Sequence, residues 1–178
     1  MAEAEFVKRF KAPWSVLLSL ITAFTVVLFI GWPFVLFVDG GRQVLFAALL
    51  IWGITIGFLV WVFRTQFIRN YVLSGDRLIV ERFGPDTDFA LESLESVRKD
   101  PAAMKGIYTI TNGGLFAFSG KKCRNRKLGV FEAYATDKKR SVVLRFPNRI
   151  LVVTPEAPEA FVMAVNGRIT FHRRGNDI

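Results

Sequence analysis

Two long stretches of this chain carry no charged side chain: residues 14–38, "WSVLLSLITAFTVVLFIGWPFVLFV", and residues 44–63, "VLFAALLIWGITIGFLVWVF". At a rise of about 1.5 Å per residue, a helix of about 20 residues crosses a hydrocarbon layer of roughly 30 Å. Both stretches meet that length. Between them lie only Asp39, Gly40, Gly41, Arg42 and Gln43, a polar turn with two glycines that reverses the chain. The expectation is a transmembrane helical hairpin with spans at about 14–38 and 44–63. A cleaved signal peptide fits poorly, because its apolar region is about 7 to 15 residues long and no small-x-small cleavage site precedes the second run.

Charge placement orients the hairpin. The chain of 178 residues combines a mean hydropathy of +0.34 with a formal net charge of +9, and its cations flank the apolar runs. Lys8, Arg9 and Lys11 precede the first run, and Arg64, Arg69 and Arg77 follow the second. By the positive-inside rule both termini are cytoplasmic. Trp14 and Trp32 lie about 27 Å apart along a helix and suit the two interfacial belts, with Trp61 at the cytoplasmic end of the second span. Trp52 is left near mid-membrane, against lipid or the other helix. Pro33 removes a backbone donor and should bend the first helix near its outer end.

Small residues mark where helices approach closely. Ser15, Ser19 and Ala23 recur every four positions on the first span, and Gly53 and Gly57 form a GxxxG on the second. Two readings stand: packing of the hairpin on itself, or homo-oligomerisation through Gly53 and Gly57. Neither span holds an ionisable side chain, which argues against a pump or transporter.

From Arg64 onward apolar runs shorten and turn residues recur every eight to twelve positions, the pattern of a small antiparallel β domain. Tyr71–Leu73 and Arg77–Phe83 flank Ser74-Gly75-Asp76 as a tight hairpin. Phe116 and Phe118 read as alternating core positions of a strand. Val130–Ala135, Arg140–Phe146 and Arg149–Val153 read as a three-strand meander. Thr154-Pro155 reads as the cap and first residue of a helix, with Glu156 and Glu159 at its positive end, Phe161, Val162, Val165 and Ile169 on one apolar face, and Asn166-Gly167 as its stop.

The stretches "YVLSGDRLIVERFG", "LGVFEAYATDKKRSVVLRF" and "VVTPEAPEAFV" resemble the bacterial PH-like (pleckstrin-homology-like) domain family, found in membrane proteins with a few N-terminal spans. The resemblance covers residues 64–170. It implies a bent sheet of about seven antiparallel strands closed by one C-terminal helix. In eukaryotic relatives of the fold, a long basic loop between the first two strands holds the lipid headgroup. Here that loop is "SGD", so no matching headgroup pocket is expected.

The densest charge lies in "KKCRNRK": Lys121, Lys122, Arg124, Arg126 and Lys127, around a lone Cys123. Near a cytoplasmic leaflet such a cluster is attracted to anionic lipid by about 1 kcal/mol per cation, within a Debye length of roughly 8 to 10 Å. Three readings stand for it: a solvated hairpin, a lipid contact, or a contact with another macromolecule. Lys138, Lys139 and Arg140 form a second, sparser basic turn. If residues 129–135 are one strand, the two clusters lie at opposite ends of it.

Nucleic acid is a poor partner for the first cluster, which contains no aromatic residue to stack on bases and no recognised binding motif. Catalysis finds no constellation either. His172 is the one histidine and lies in the polar tail "FHRRGNDI", and a single cysteine with a distant histidine makes neither a metal site nor a disulfide. Cationic neighbours could activate the Cys123 thiol, against which stands an inert cysteine in a hairpin. "TNGG" at 111–114 lacks the remainder of a phosphate loop and reads as a turn.

The sequence therefore predicts an α+β chain with no cofactor and no enzymatic activity. Residues 1–63 form a tail and hairpin, 64–170 a cytoplasmic PH-like domain, and 171–178 a polar tail. The expected role is a membrane-tethered interaction module that positions a protein partner at the cytoplasmic face, oriented by anionic lipid. The competing expectation is an accessory subunit of a membrane enzyme or transporter, acting through the hairpin.

Overall fold

A computed structural model describes residues 7–39, 42–107 and 112–175, with side chains over 7–31, 46–107 and 113–168. In chain order the elements are β1 (Lys8–Lys11), α1 (Val16–Asp39), α2 (Arg42–Gln66), β2 (Ile68–Ser74), β3 (Arg77–Arg82), β4 (Thr87–Ala90), β5 (Ser96–Lys99), β6 (Asn112–Gly113), β7 (Phe118–Asn125), β8 (Gly129–Ala135), β9 (Val142–Phe146), β10 (Arg149–Val153) and α3 (Pro158–Gly175).

The two apolar runs are helices that pack along one another. Trp52 Nε1 donates to the Ile30 carbonyl at 2.9 Å, so the mid-span tryptophan contacts the other helix. Among the described residues, one helix is long and apolar enough to cross a membrane: Phe46–Gln66, with a mean hydropathy of 2.3. The described apolar part of α1, Val16–Gly31, is shorter. Trp32 and Pro33 fall where only backbone is described, and Gly40 and Gly41 lie outside the described residues.

The strands form two sheets, ordered β1-β2-β3-β4 and β5-β9-β10-β8-β7-β6, so among the described residues nine strands within 64–170, joined by β1, stand where about seven were expected. The tail before α1 is not separate from this domain. Lys8–Lys11 adds an edge strand, pairing Lys8 with Leu73 and Lys11 with Asn70, because Phe10 buries its ring edge-on against Phe161 of α3 at 5.1 Å. The Gly75-Asp76 turn closes β2 onto β3 as expected, with Gly75 at φ 49°.

The expected meander is rearranged. β10 lies between β8 and β9, antiparallel to β9 and parallel to β8. The Pro147-Asn148 turn permits only a neighbouring antiparallel strand, whereas the six-residue link after Ala135 holds a 3₁₀ turn and can pass over one strand position. Inner side chains such as Val142, Leu144, Leu151 and Val153 join β2, β3 and α3 in one core. Their outward neighbours Val143 and Val152 pack with Phe131, Ala133, Met104 and Leu18 in a second. Both faces of the larger sheet are thus covered, which is why these strands are continuously apolar rather than alternating.

Thr154 does not cap a helix. It ends β10, fully buried, and its hydroxyl accepts the backbone N–H of Thr136 at 2.8 Å and of Asp137 at 3.3 Å. The Tyr71 hydroxyl donates to the Tyr134 carbonyl at 2.7 Å and lies 3.3 Å from the same threonine oxygen. The helix starts later, at Pro158, and runs past Gly167 to Gly175. An exposed glycine costs a helix only about 1 kcal/mol. Arg168, donating to the carbonyls of Gly75 at 2.7 Å and Leu73 at 3.2 Å, holds the next turn against the β2–β3 hairpin.

Burial pushes the Tyr71 phenol from 10.0 up to about 12, against the lowering effect of its hydrogen bonds to Thr154. Its contribution to stability is therefore fully present below about pH 10, where both folded and unfolded chains keep the proton. Between about pH 10 and 12 the unfolded chain loses that proton first, and up to about 3 kcal/mol is lost. Tyr71→Phe should cost about 1–3 kcal/mol near neutral pH by stranding the Tyr134 carbonyl, and should remove this share of the alkaline loss. Urea unfolding of the detergent-solubilised chain near pH 8 and pH 11.5 measures both.

Candidate functional site at the helix–domain junction

Both helices meet the sheets through short links. Ala12–Ser15 joins β1 to α1, and Phe67 alone joins α2 to β2. Ser15 caps the first helix, its hydroxyl accepting the Leu18 N–H at 3.2 Å, while its own N–H donates to the Thr136 carbonyl at 3.3 Å. At the other helix end, Arg82 donates through Nη1 to the Thr65 carbonyl at 3.1 Å, and the Ser119 hydroxyl donates to Gln66 Oε1. Phe67 packs on Trp14 and Phe83 with ring centroids 5.1 Å apart in each case, and Phe63 stacks on Phe83 at 4.9 Å.

A turn of the sheet domain reaches up the helices. Between β6 and β7, Gly114 adopts φ 135° and Phe116 φ 64°, which throws the Phe116 ring against Phe63 at 5.3 Å and Trp14 at 6.3 Å. A Cβ on Gly114 would lie 3.1 Å from Phe118 and 3.2 Å from Ile21, so the backbone passes directly over α1. Thr22 serves both polar groups of this turn. Its hydroxyl donates to the Gly114 carbonyl at 3.2 Å and accepts the Phe116 N–H at 3.1 Å, with Thr22 only 6% exposed. Phe116 is thus buried as expected, but in a turn against the helices rather than in a strand.

Three cations of the first cluster, Arg124, Arg126 and Lys127, share one hairpin end, while Lys121 and Lys122 lie midway along β7. β7 leaves the junction at Ser119 and reaches its turn at Asn125, up to about 20 Å along the strand. A bulge between Gly120 and Cys123 turns Lys121 and Lys122 both outward, so Cys123 and Asn125 point in. Asn125 then organises the tip, donating to the Ala103 carbonyl at 2.6 Å and accepting the Leu128 N–H at 2.8 Å. Arg124 and Arg126 are exposed, while Lys127 Nζ sits 2.7 Å from the largely buried Asp100 carboxylate. Desolvation pushes Asp100 upward, but its bonds to Lys127 and the Ala102 N–H outweigh this and hold it below the usual carboxylate range. An open depression of about 510 Å³, lined by Ala102, Lys105, Gly106, Arg126 and Lys127, lies beside the tip.

The second basic turn lies at the opposite end of β8, beside the start of α1. Asp137 caps it, accepting the Lys139 N–H at 3.0 Å through its carboxylate. The Lys138 ammonium stands 4.0 Å over the Phe118 ring, and burial lowers its pKa.

Among the described side chains, the small residues on the two helices lie mostly open. A Cβ on Gly53 or Gly57 would meet nothing within 4 Å, and Ser19 and Ala23 are exposed, leaving Ser15 as the half-buried helix cap. Cys123 is fully buried with Sγ 3.5 Å from the Gly120 carbonyl, away from solvent. The His172 side chain lies outside the described residues, and among those described no group of three or more His, Cys, Asp or Glu is placed to hold a metal. Thr22 escaped the sequence reading for a physical reason. Thr25, one turn on, bonds only its own helix at the Ile21 carbonyl, and nothing local distinguishes the two threonines.

Sheets wrapped round a shared core and packed by a C-terminal helix define this as an α+β domain of the PH-like class. The chain belongs to the bacterial PH domain family, which matches residues 69–169. The strand β1 and both N-terminal helices lie outside that match. Comparison with curated proteins and with solved structures returns no match.

Thr22→Val keeps the shape of the side chain and strands the Phe116 N–H, at an expected cost of about 1–3 kcal/mol, while Thr22→Ser should retain most of the bond. Hydrogen exchange of residues 113–118 in the full chain measures this: faster exchange in the valine variant alone is the expected result.

Proposed function

We propose that the chain is a non-enzymatic interaction module of the bacterial cytoplasmic membrane. In this reading α1 and α2 form a two-span hairpin with both termini cytoplasmic, and the PH-like domain presents a binding surface to a protein partner at that face. The observation that carries it is the one-ended docking of the domain. Its contacts reach α1 near Leu18 and Thr22 and α2 near Phe63 to Gln66, while Phe24, Val27, Phe46, Leu50 and Ile54 keep large exposed apolar surface. Apolar surface of that extent calls for a non-aqueous surrounding. Membership of the bacterial PH domain family supports a binding role over a catalytic one.

A second reading has its own observation. The open space beside Gly53 and Gly57 leaves a close-approach surface for another helix, as an accessory subunit or a second copy of this chain would use.

The isolated residues 64–178 are unsuitable for separating these readings, since they lack Phe10, Trp14 and Leu18, which pack with the domain. Photo-crosslinking side chains placed in the full chain in cells do separate them. The module reading expects a specific protein adduct from the exposed α3 position Met163 or the β8 position Val130, and lipid adducts from Ile54. Protein adducts from Ile54 alone would favour the accessory or dimeric reading. A periplasm-active reporter inserted between Gly40 and Gly41 should be active if both helices span, and activity at either terminus instead would overturn that topology.

A further inference from the structure

Screening by salt limits which charges a membrane surface feels to those within roughly 8 to 10 Å of it. Position, more than density, therefore decides which basic turn meets the lipid. The turn at Lys138–Arg140 follows Thr136, whose carbonyl is bonded to the N–H of Ser15, the residue before α1. Val16, where α1 begins, is already 77% exposed, so the apolar helix surface starts within a few residues of this turn.

The turn is also held in place. Besides the Asp137 cap, the Ser141 hydroxyl donates to the Lys138 carbonyl at 2.8 Å, and Arg140 bonds the Glu156 carbonyl at 2.7 Å and the Asp137 carboxylate at 3.3 Å. Charges facing it from neighbouring elements are Asp137, Glu156 and Lys11, the last joined to Glu156 through the Glu156 N–H to Lys11 carbonyl bond. Arg140 offsets Asp137. Lys138 and Lys139 remain as net positive charge, the first leaning on Phe118 and the second exposed. The hairpin tip with Arg124, Arg126 and Lys127 is instead tied to residues 100–105, at the other end of its strand.

We propose that Lys138 and Lys139 form the contact with anionic lipid headgroups, and that the hairpin tip at Arg124, Arg126 and Lys127 faces water. This rests on the membrane reading above and assigns the lipid contact within it. Such a contact would fix the rotation of the domain about the helix pair, since these lysines lie on one side of the junction.

Amine-reactive footprinting of the full chain tests it, in nanodiscs of zwitterionic lipid alone and of zwitterionic lipid mixed with phosphatidylglycerol, read lysine by lysine by mass spectrometry. The expected result is roughly five-fold slower acylation of Lys139 in the anionic discs, with Lys138 following it and Lys105 and Lys127 at the hairpin tip unchanged. High salt should abolish the difference. Equal or greater protection of Lys105 and Lys127, or no lipid dependence at Lys139, overturns the assignment while leaving the membrane reading in place. A chain that stays soluble without detergent or nanodiscs overturns the membrane reading and this assignment with it.

Discussion

One hydroxyl group holds the junction between two environments. Thr22 sits on an otherwise apolar helix face and satisfies a carbonyl and an N–H of the Gly114–Phe116 turn at once. Without it, the Phe116 N–H would lose its bond in a turn packed against Ile21, Phe63 and Trp14. The turn can reach up the helices only because this side chain is there. Its reach in turn seats Phe116 in the aromatic cluster that binds α1, α2 and the β3–β4 link into one unit. The domain is consequently docked rather than hung: a one-residue link, a paired N-terminal strand and this clamp leave little freedom between helices and sheets.

How far the sequence foretold this depends on whether the signal is local. The apolar runs were legible because uncharged length is a property of the run itself, and the Gly75 hairpin because its turn chemistry lies within three residues. The family resemblance located the sheet domain, and the match over residues 69–169 bears that out. What was illegible depends on partners far away in the chain. Lys8–Lys11 is too short to show a period, and it is a strand only because β2 offers an edge and Phe161 a seat for Phe10. Thr154-Pro155 has the composition of a helix start, yet Tyr71, Thr136 and Asp137 claim the threonine oxygen and delay the helix to Pro158.

The junction site shows the same division. The sequence could count cations and therefore favoured the cluster from Lys121 to Lys127. Counting does not reveal that Lys127 is paired with Asp100, or that a bulge is what sets Lys121 and Lys122 side by side. Part of the cluster is thus structural: Cys123 and Asn125 are core residues of the hairpin, and their charged neighbours are outward by alternation. The sparser turn gains weight from its neighbours, since Ser15 and Phe118 place it where the apolar helix begins.

Docking and charge together determine what a partner would meet. A flexible tether would raise the local concentration of a binding domain and leave its orientation to chance. Here the register of β1 on β2, the clamp at Thr22 and the bond from Arg82 to Thr65 fix the domain to both helices, so its orientation is inherited from the helix pair itself. Few charges are then needed to choose one rotation over another, because the remaining freedom is small. The cost of this rigidity is that the helices and the sheet domain cannot be treated as separable parts: removing the N-terminal segment strips an edge strand and opens the core at Phe10, and removing the domain takes away the turn groups to which the Thr22 hydroxyl is bonded.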